Sequence, residues 1–133
     1  MDTIRTHAFA DVDLTGKEGY FVKKTGTDER IAICAADTDV AIGVLYSVSP
    51  GGIGAECIVD VLGLSRCVFA SAVQPFDLIA PDATGKGKTA AAGDTVVGMY
   101  IPESAPQATD LAAAGTTGNY RIMLNGPKGT VHA

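Results

Sequence analysis

Residues 34–43 read CAADTDVAIG, and they decide the fold because the chain repeats them. Residues 89–98 read TAAAGDTVVG, at a constant offset of 55. Ala35, Ala36, Asp39 and Gly43 recur as Ala90, Ala91, Asp94 and Gly98, with Ile42 answered by Val97. Three alanines cannot offset the cost of nucleating a helix. Each copy therefore reads as a turn that enters a strand. An Asp placed just before a strand can hydrogen-bond turn amides. A glycine inside a strand pattern marks a bulge or a close backbone approach. Asp39, Gly43, Asp94 and Gly98 are thus expected to be structural turn and strand residues.

The correspondence extends outward. Upstream, GYFVKKTG matches FDLIAPDATG, an apolar strand followed by a glycine-containing turn. Downstream, Cys57, Val59, Val61 and Gly63 answer Tyr120, Ile122, Leu124 and Gly126 at an offset of 63. Strand signals fall at residues 20–22, 30–34, 40–46, 57–61, 76–80, 95–101 and 120–124. Short strands at such spacing indicate an all-β fold. We expect a small barrel or sandwich built from two tandem β-units, with at most one short helix. The candidate helix is residues 111–114, capped by Thr109 or Asp110 and ended by Gly115. Residues 1–13 read as an N-terminal arm, 14–66 as the first unit and 67–133 as the second. A unit of this size is marginal alone, so the two are expected to share one core.

Composition narrows the function. The 133 residues carry a net charge of −5 with only ten Lys and Arg, so a nucleic-acid footprint is missing. No apolar run approaches the roughly 20 residues of a membrane span. The start, MDTIRTHAF, has no long apolar segment, which reads as synthesis in the cytoplasm. Charged residues are 19%, below the ~25% of an ordinary soluble domain, which suits a surface hidden against a partner. An Ala-rich domain without such a partner would give the same figure.

One stretch mimics chemistry. Residues 82–94, DATGKGKTAAAGD, end like a phosphate-binding loop at Gly87-Lys88-Thr89. The loop motif needs glycine where Asp82 stands and a helix where AAAGDTVVG breaks. Aligned with TGTDER (residues 25–30), TGKGKT is a solvated turn, so Lys88→Ala is expected to leave folding nearly untouched. Tyr20-Phe21 resembles the aromatic strand of cold-shock domains, but alternation puts the rings on opposite faces, and core packing is the better account. Cys34, Cys57 and Cys67 lack CxxC spacing, and the histidines, His7 and His132, sit near opposite ends. The cysteines read as small buried hydrophobes. Asp11 with Asp13, and Asp37 with Asp39, lack the full oxygen set of a calcium loop. We therefore expect no catalytic residues, no metal and no cofactor.

The doubled pattern, GYFVKKTG…AICAADTDVAIGVLYSVSPGGIGAECIVDVLG and FDLIAPDATG…TAAAGDTVVGMYIPES…GNYRIMLNG, resembles tailed-bacteriophage capsid cement or head-decoration proteins. The likeness covers residues 14–126, with residues 102–118 as an insertion. It implies a virion protein without enzymatic activity, bound to the outer surface of the phage head and bridging subunits of the major capsid protein. It also implies a homo-oligomer, a trimer ahead of a dimer, with no nucleic-acid or membrane partner. The arm residues Thr3, Ile4, Arg5, His7 and Phe9 are candidate capsid contacts, either as a strand added to a neighbour's sheet or as a frayed terminus. A small-ligand or carbohydrate-binding β-domain is the competing class, and the absence of Trp weighs against it.

Overall fold

The structure is a computed structural model that describes residues 3–26, 29–101 and 119–125. The expected helix at 111–114 and the insertion at 102–118 lie outside those residues. The described residues are all-β, in nine strands: β1 (Ile4–Ala10), β2 (Phe21–Lys24), β3 (Arg30–Ile33), β4 (Ala41–Val48), β5 (Glu56–Val68), β6 (Leu78–Pro81), β7 (Gly87–Thr89), β8 (Gly98–Tyr100) and β9 (Asn119–Asn125).

Five of them close on themselves. The order β1-β3-β2-β4-β5 returns to its start because β5 also pairs with β1. The β1–β3 contact is parallel and short, at Phe9↔Arg30 and Ala10↔Ile31. The other four pairings are antiparallel. A closed barrel leaves few backbone groups on an open edge. β5 then continues past the barrel. Its residues 62–68 pair with β9, and β8, β6 and β7 extend the sheet beyond. A parallel bridge from Phe69 to Gly87 brings β7 back beside the end of β5.

Two segments depart from the sequence reading. Residues Ile4–Ala10, expected as an arm, form β1, whose partners lie within the same chain. Alternation explains the placement, since Ala8 and Ala10 face the core while their neighbours face out. Lys88 is inside β7 and not at a turn tip. The tip closes two residues earlier because the Asp82 carboxylate accepts the amides of Thr84 and Lys86 and Gly85 takes φ 83°.

Matching hydrogen bonds occur in both halves. The amide of Asp39 donates to Ala36 and that of Asp94 to Ala91. Gly19 donates to Leu45, which donates to Tyr20; Phe76 donates to Tyr100, which donates to Asp77. Val22 stands opposite Gly43 as Ile79 stands opposite Gly98. Val59 faces Leu45 as Ile122 faces Tyr100.

β2 and β4 are buried on both faces. Val22 and Leu45 point into the first barrel with Leu14, Ile31, Cys57 and Val59. Phe21 and Val44 point the other way, into a cluster with Cys67, Phe69, Val73, Ile79, Val97 and Tyr100 from the second half of the chain. The Phe69 and Tyr100 rings meet edge-on, 5.6 Å apart.

Gly43 is where β4 lies tightest on β5. A Cβ there would run into the backbone carbonyl of Asp60 and crowd Val59. Gly43→Ala is therefore expected to destabilise by about 3 kcal/mol or to prevent folding. Gly26→Ala, with open space around it, should shift the urea midpoint by less than about 0.5 kcal/mol equivalent. Equal midpoints for the two variants would contradict the close approach.

Candidate interaction surfaces

The two Ala-Asp turns are built alike and face each other across the halves. The Asp39 carboxylate accepts the amides of Ala35 (2.7 Å) and Ala36 (3.1 Å) and the ammonium of Lys23 (3.1 Å). The Asp94 carboxylate accepts the amide of Ala91 (2.8 Å) and lies 3.2 Å from Lys88 Nζ. Lys88 also donates to Asp37 at 3.0 Å, so one cation joins the turn of the first half to that of the second. Beside it, the Thr95 amide donates to the Asp37 carbonyl at 2.9 Å. Gly43 and Gly98 both lie in strand register, on β4 and at the start of β8.

These partners set the charges. Burial acts to raise the Asp39 pKa, but the donors Ala35, Lys23 and Ala36 outweigh it and hold the carboxyl below its ordinary value. The Ala91 amide and Lys88 do the same for Asp94 against a smaller burial effect. The Asp37 hydrogen bond, with Asp94, raises Lys88 above the ordinary lysine value. Burial pushes the Cys34 thiol up to about 12 and raises Cys57 and Cys67 as well, so all three free cysteines are buried neutral thiols.

The candidate contact residues of β1 divide by role. Arg5 lies along the outer face of the sheet, tied to its neighbours. Its Nε donates to Asp60 Oδ1 at 2.7 Å, and its guanidinium lies 4.0 Å from the Tyr46 ring centroid. Ser65 holds the other Asp60 oxygen at 2.7 Å, so this buried carboxylate has a donor on each oxygen. Thr3 Oγ1 donates to the Leu64 carbonyl. His7 Nδ1 lies 3.2 Å from Glu56 Oε1 on the exposed side. Ile4 and Phe9 present apolar side chains to solvent. Arg5 and Thr3 thus fasten β1, and Ile4, His7 and Phe9 are available for contact. Neither the alternation of β1, carried by Ala8 and Ala10 alone, nor the Arg5–Asp60 pairing across 55 positions was legible in the sequence.

Sequence reasoning missed two exposed features. Ile53 is 70% exposed on the β4–β5 connection, framed by Gly51, Gly52 and Gly54, all at positive φ. The loop is pinned by Gly54 donating to Ala10 (2.7 Å) and Ala55 to Gly52 (3.1 Å). Phe76 is 59% exposed at φ 69°. A side chain in that backbone region costs roughly 1–2 kcal/mol, and exposure supplies no burial to offset it. A shallow groove of about 230 Å³ lies between β1 and the β2–β3 hairpin, lined by Thr6, His7, Ala8, Ile31 and Ile42 with the charged Lys24, Glu29 and Arg30, and no Phe, Tyr or Trp ring lines it. Among the described residues, no three His, Cys, Asp or Glu side chains gather as metal ligands.

No family model and no curated protein matches the sequence. Among solved structures, the chain is similar to the N base of head fiber gp8.5 of bacteriophage phi29, at 14% identity. The match covers 96% of this chain and 98% of that one, with a TM-score of 0.66. The two share a fold across nearly their whole lengths.

Two measurements follow from the clasp. Lys88→Ala leaves Asp37 and Asp94 without their shared cation and is expected to cost about 1 kcal/mol in urea unfolding, where the turn reading gave none. An unchanged midpoint would remove the clasp from the account. Because the Asp39 and Asp94 pKa values are lowered in the fold, their contribution is present above the unfolded carboxylate value of about 3.9 and is lost as pH falls through the lowered values. The melting temperature should drop below about pH 4, and the drop should be shallower for Asp39→Asn and Asp94→Asn; identical slopes would contradict this.

Proposed function

We propose that this chain is a structural protein of a tailed-phage head, seated on the outer capsid surface and bridging neighbouring major capsid protein subunits, with no enzymatic activity. The observation that carries the reading is the full-length likeness to a head-fiber base at a TM-score of 0.66. The sequence resemblance to cement and decoration proteins points the same way by an independent route. The doubled hydrogen-bond pattern supports reading the chain as two copies of one β-unit that share β5. Homo-oligomerisation, with a trimer favoured, belongs to the same proposal.

The physical gain is mass action. A ligand that binds only the assembled shell stabilises it in proportion to occupancy. Ile53 suits the shell contact. Its three glycines and two backbone bonds hold an apolar side chain outward at little further entropic cost on docking. Exposed Val12 and the Asp13 carboxylate stand beside that loop, so the matching socket is apolar with a cationic rim.

Sedimentation of the purified protein with expanded empty heads tests this. Saturable co-pelleting is expected, with binding weakened at least about tenfold by Ile53→Asp at unchanged melting temperature. Wild-type protein that stays in the supernatant at all head concentrations would overturn the proposal.

A further inference from the structure

We infer that the surface around Phe76, Leu78 and Met99 is a docking face for a second copy of this chain, which presents Phe9 and Val40 to it. The inference rests on reading the chain as two like units and is independent of what the protein binds on a phage head.

Phe21, Cys34 and Val44 point out of the first barrel, yet all three are fully buried, because the second half packs on them. The same face carries backbone bonds: Val68 donates to Gly19, Phe21 donates to Gly85 and Thr95 donates to Asp37. Strand register identifies the matching face on the second half. Phe21 stands opposite Val44, and Leu78 stands opposite Met99. Gly19 and Phe76 each donate to the strand that follows, at Leu45 and Tyr100. The face that is covered in the first half is thus open in the second: Phe76 is exposed, and Leu78 and Met99 are half-buried.

The positive φ at both matched positions sharpens the point. At the covered position Gly19 has φ 90° and is buried. At the open position the chain places phenylalanine in the same strained region of backbone, φ 69°. Local stability would favour glycine at both sites. An exposed, strained aromatic is what a contact with another surface would retain.

The covering surface is also present on the chain. The second half meets the first through Val68, Gly85 and Thr95. Their counterparts are Phe9, at the start of the parallel β1–β3 pairing as Val68 precedes the Phe69 bridge; Glu29, at positive φ in the turn; and Val40, directly after the turn Asp. Val40 is 54% exposed and Phe9 38%. The Phe9 amide already donates to the Glu29 carbonyl at 2.8 Å, so copies meet through side chains and not by inserting backbone. One chain therefore offers both sides of a head-to-tail contact, which closes as a ring when the rotation allows.

Sedimentation velocity from about 1 to about 100 μM tests the contact, a range that captures micromolar association. Wild-type protein should form a discrete oligomer, and Phe76→Ser and Val40→Asp should each weaken it at least about tenfold. Phe76→Gly should weaken association while raising the melting temperature of the dissociated chain, because glycine relieves the backbone strain. A single-chain species throughout, or an oligomer indifferent to all three variants, would overturn the inference. A single-chain species that still pellets with heads would overturn this inference and the proposed homo-oligomer, and would leave the proposed binding to the phage head standing.

Discussion

The structure depends on one arrangement: the outer face of the first barrel is the lid on the core of the second half. Phe21, Cys34, Ala41 and Val44 leave β2, β4 and their flanks on the side away from the barrel interior and meet Phe69, Ile79, Val97 and Tyr100. Each such large apolar side chain is worth about 1.5–3 kcal/mol when fully buried. Neither half could expose that face alone without losing those contributions. β5 enforces the geometry, since its 13 residues serve the barrel at one end and the extended sheet at the other. The Lys88 clasp and the Thr95–Asp37 bond then fix the angle between the halves.

That arrangement explains which parts of the fold could be read in the sequence. The Ala-Asp turns were legible because the backbone amides that the Asp39 and Asp94 carboxylates accept lie three or four positions away. The closing strand was legible through the alternation of Cys57, Val59 and Val61. β1 was missed because its buried residues are only Ala8 and Ala10, too small to stand out as an apolar stripe. β7 was missed because it is three residues long and carries Gly87, whose missing side chain leaves space for the Phe69 ring and Cys67. Lys88 resembled a nucleotide-loop lysine because Gly87 precedes it and Thr89 follows it. Its true partners lie 51 and six positions away, and no local pattern reports the first of them.

The surfaces available for contact follow the same logic. The Lys88 ammonium with the Asp37 and Asp94 carboxylates lies at the junction between halves, while Ile53, Phe76, Val40 and Phe9 face out. Phe9 was among the arm contacts read from the sequence, whereas Ile53, Phe76 and Val40 were not, because single exposed apolar residues have no periodicity. The three buried thiols and the hydrogen-bonded carboxylates of Asp39, Asp60 and Asp94 suit the rigid body that the proposed role requires. A TM-score of 0.66 at 14% identity fits a scaffold kept by its packing pattern and not by individual side chains.

The most direct test is electron cryomicroscopy of phage heads assembled with and without this protein. The account predicts additional ordered density on the outer surface, of a size to hold the two-part β-body and in contact with adjacent major capsid subunits. Identical exteriors in the two reconstructions, or extra density only inside the shell, would contradict it.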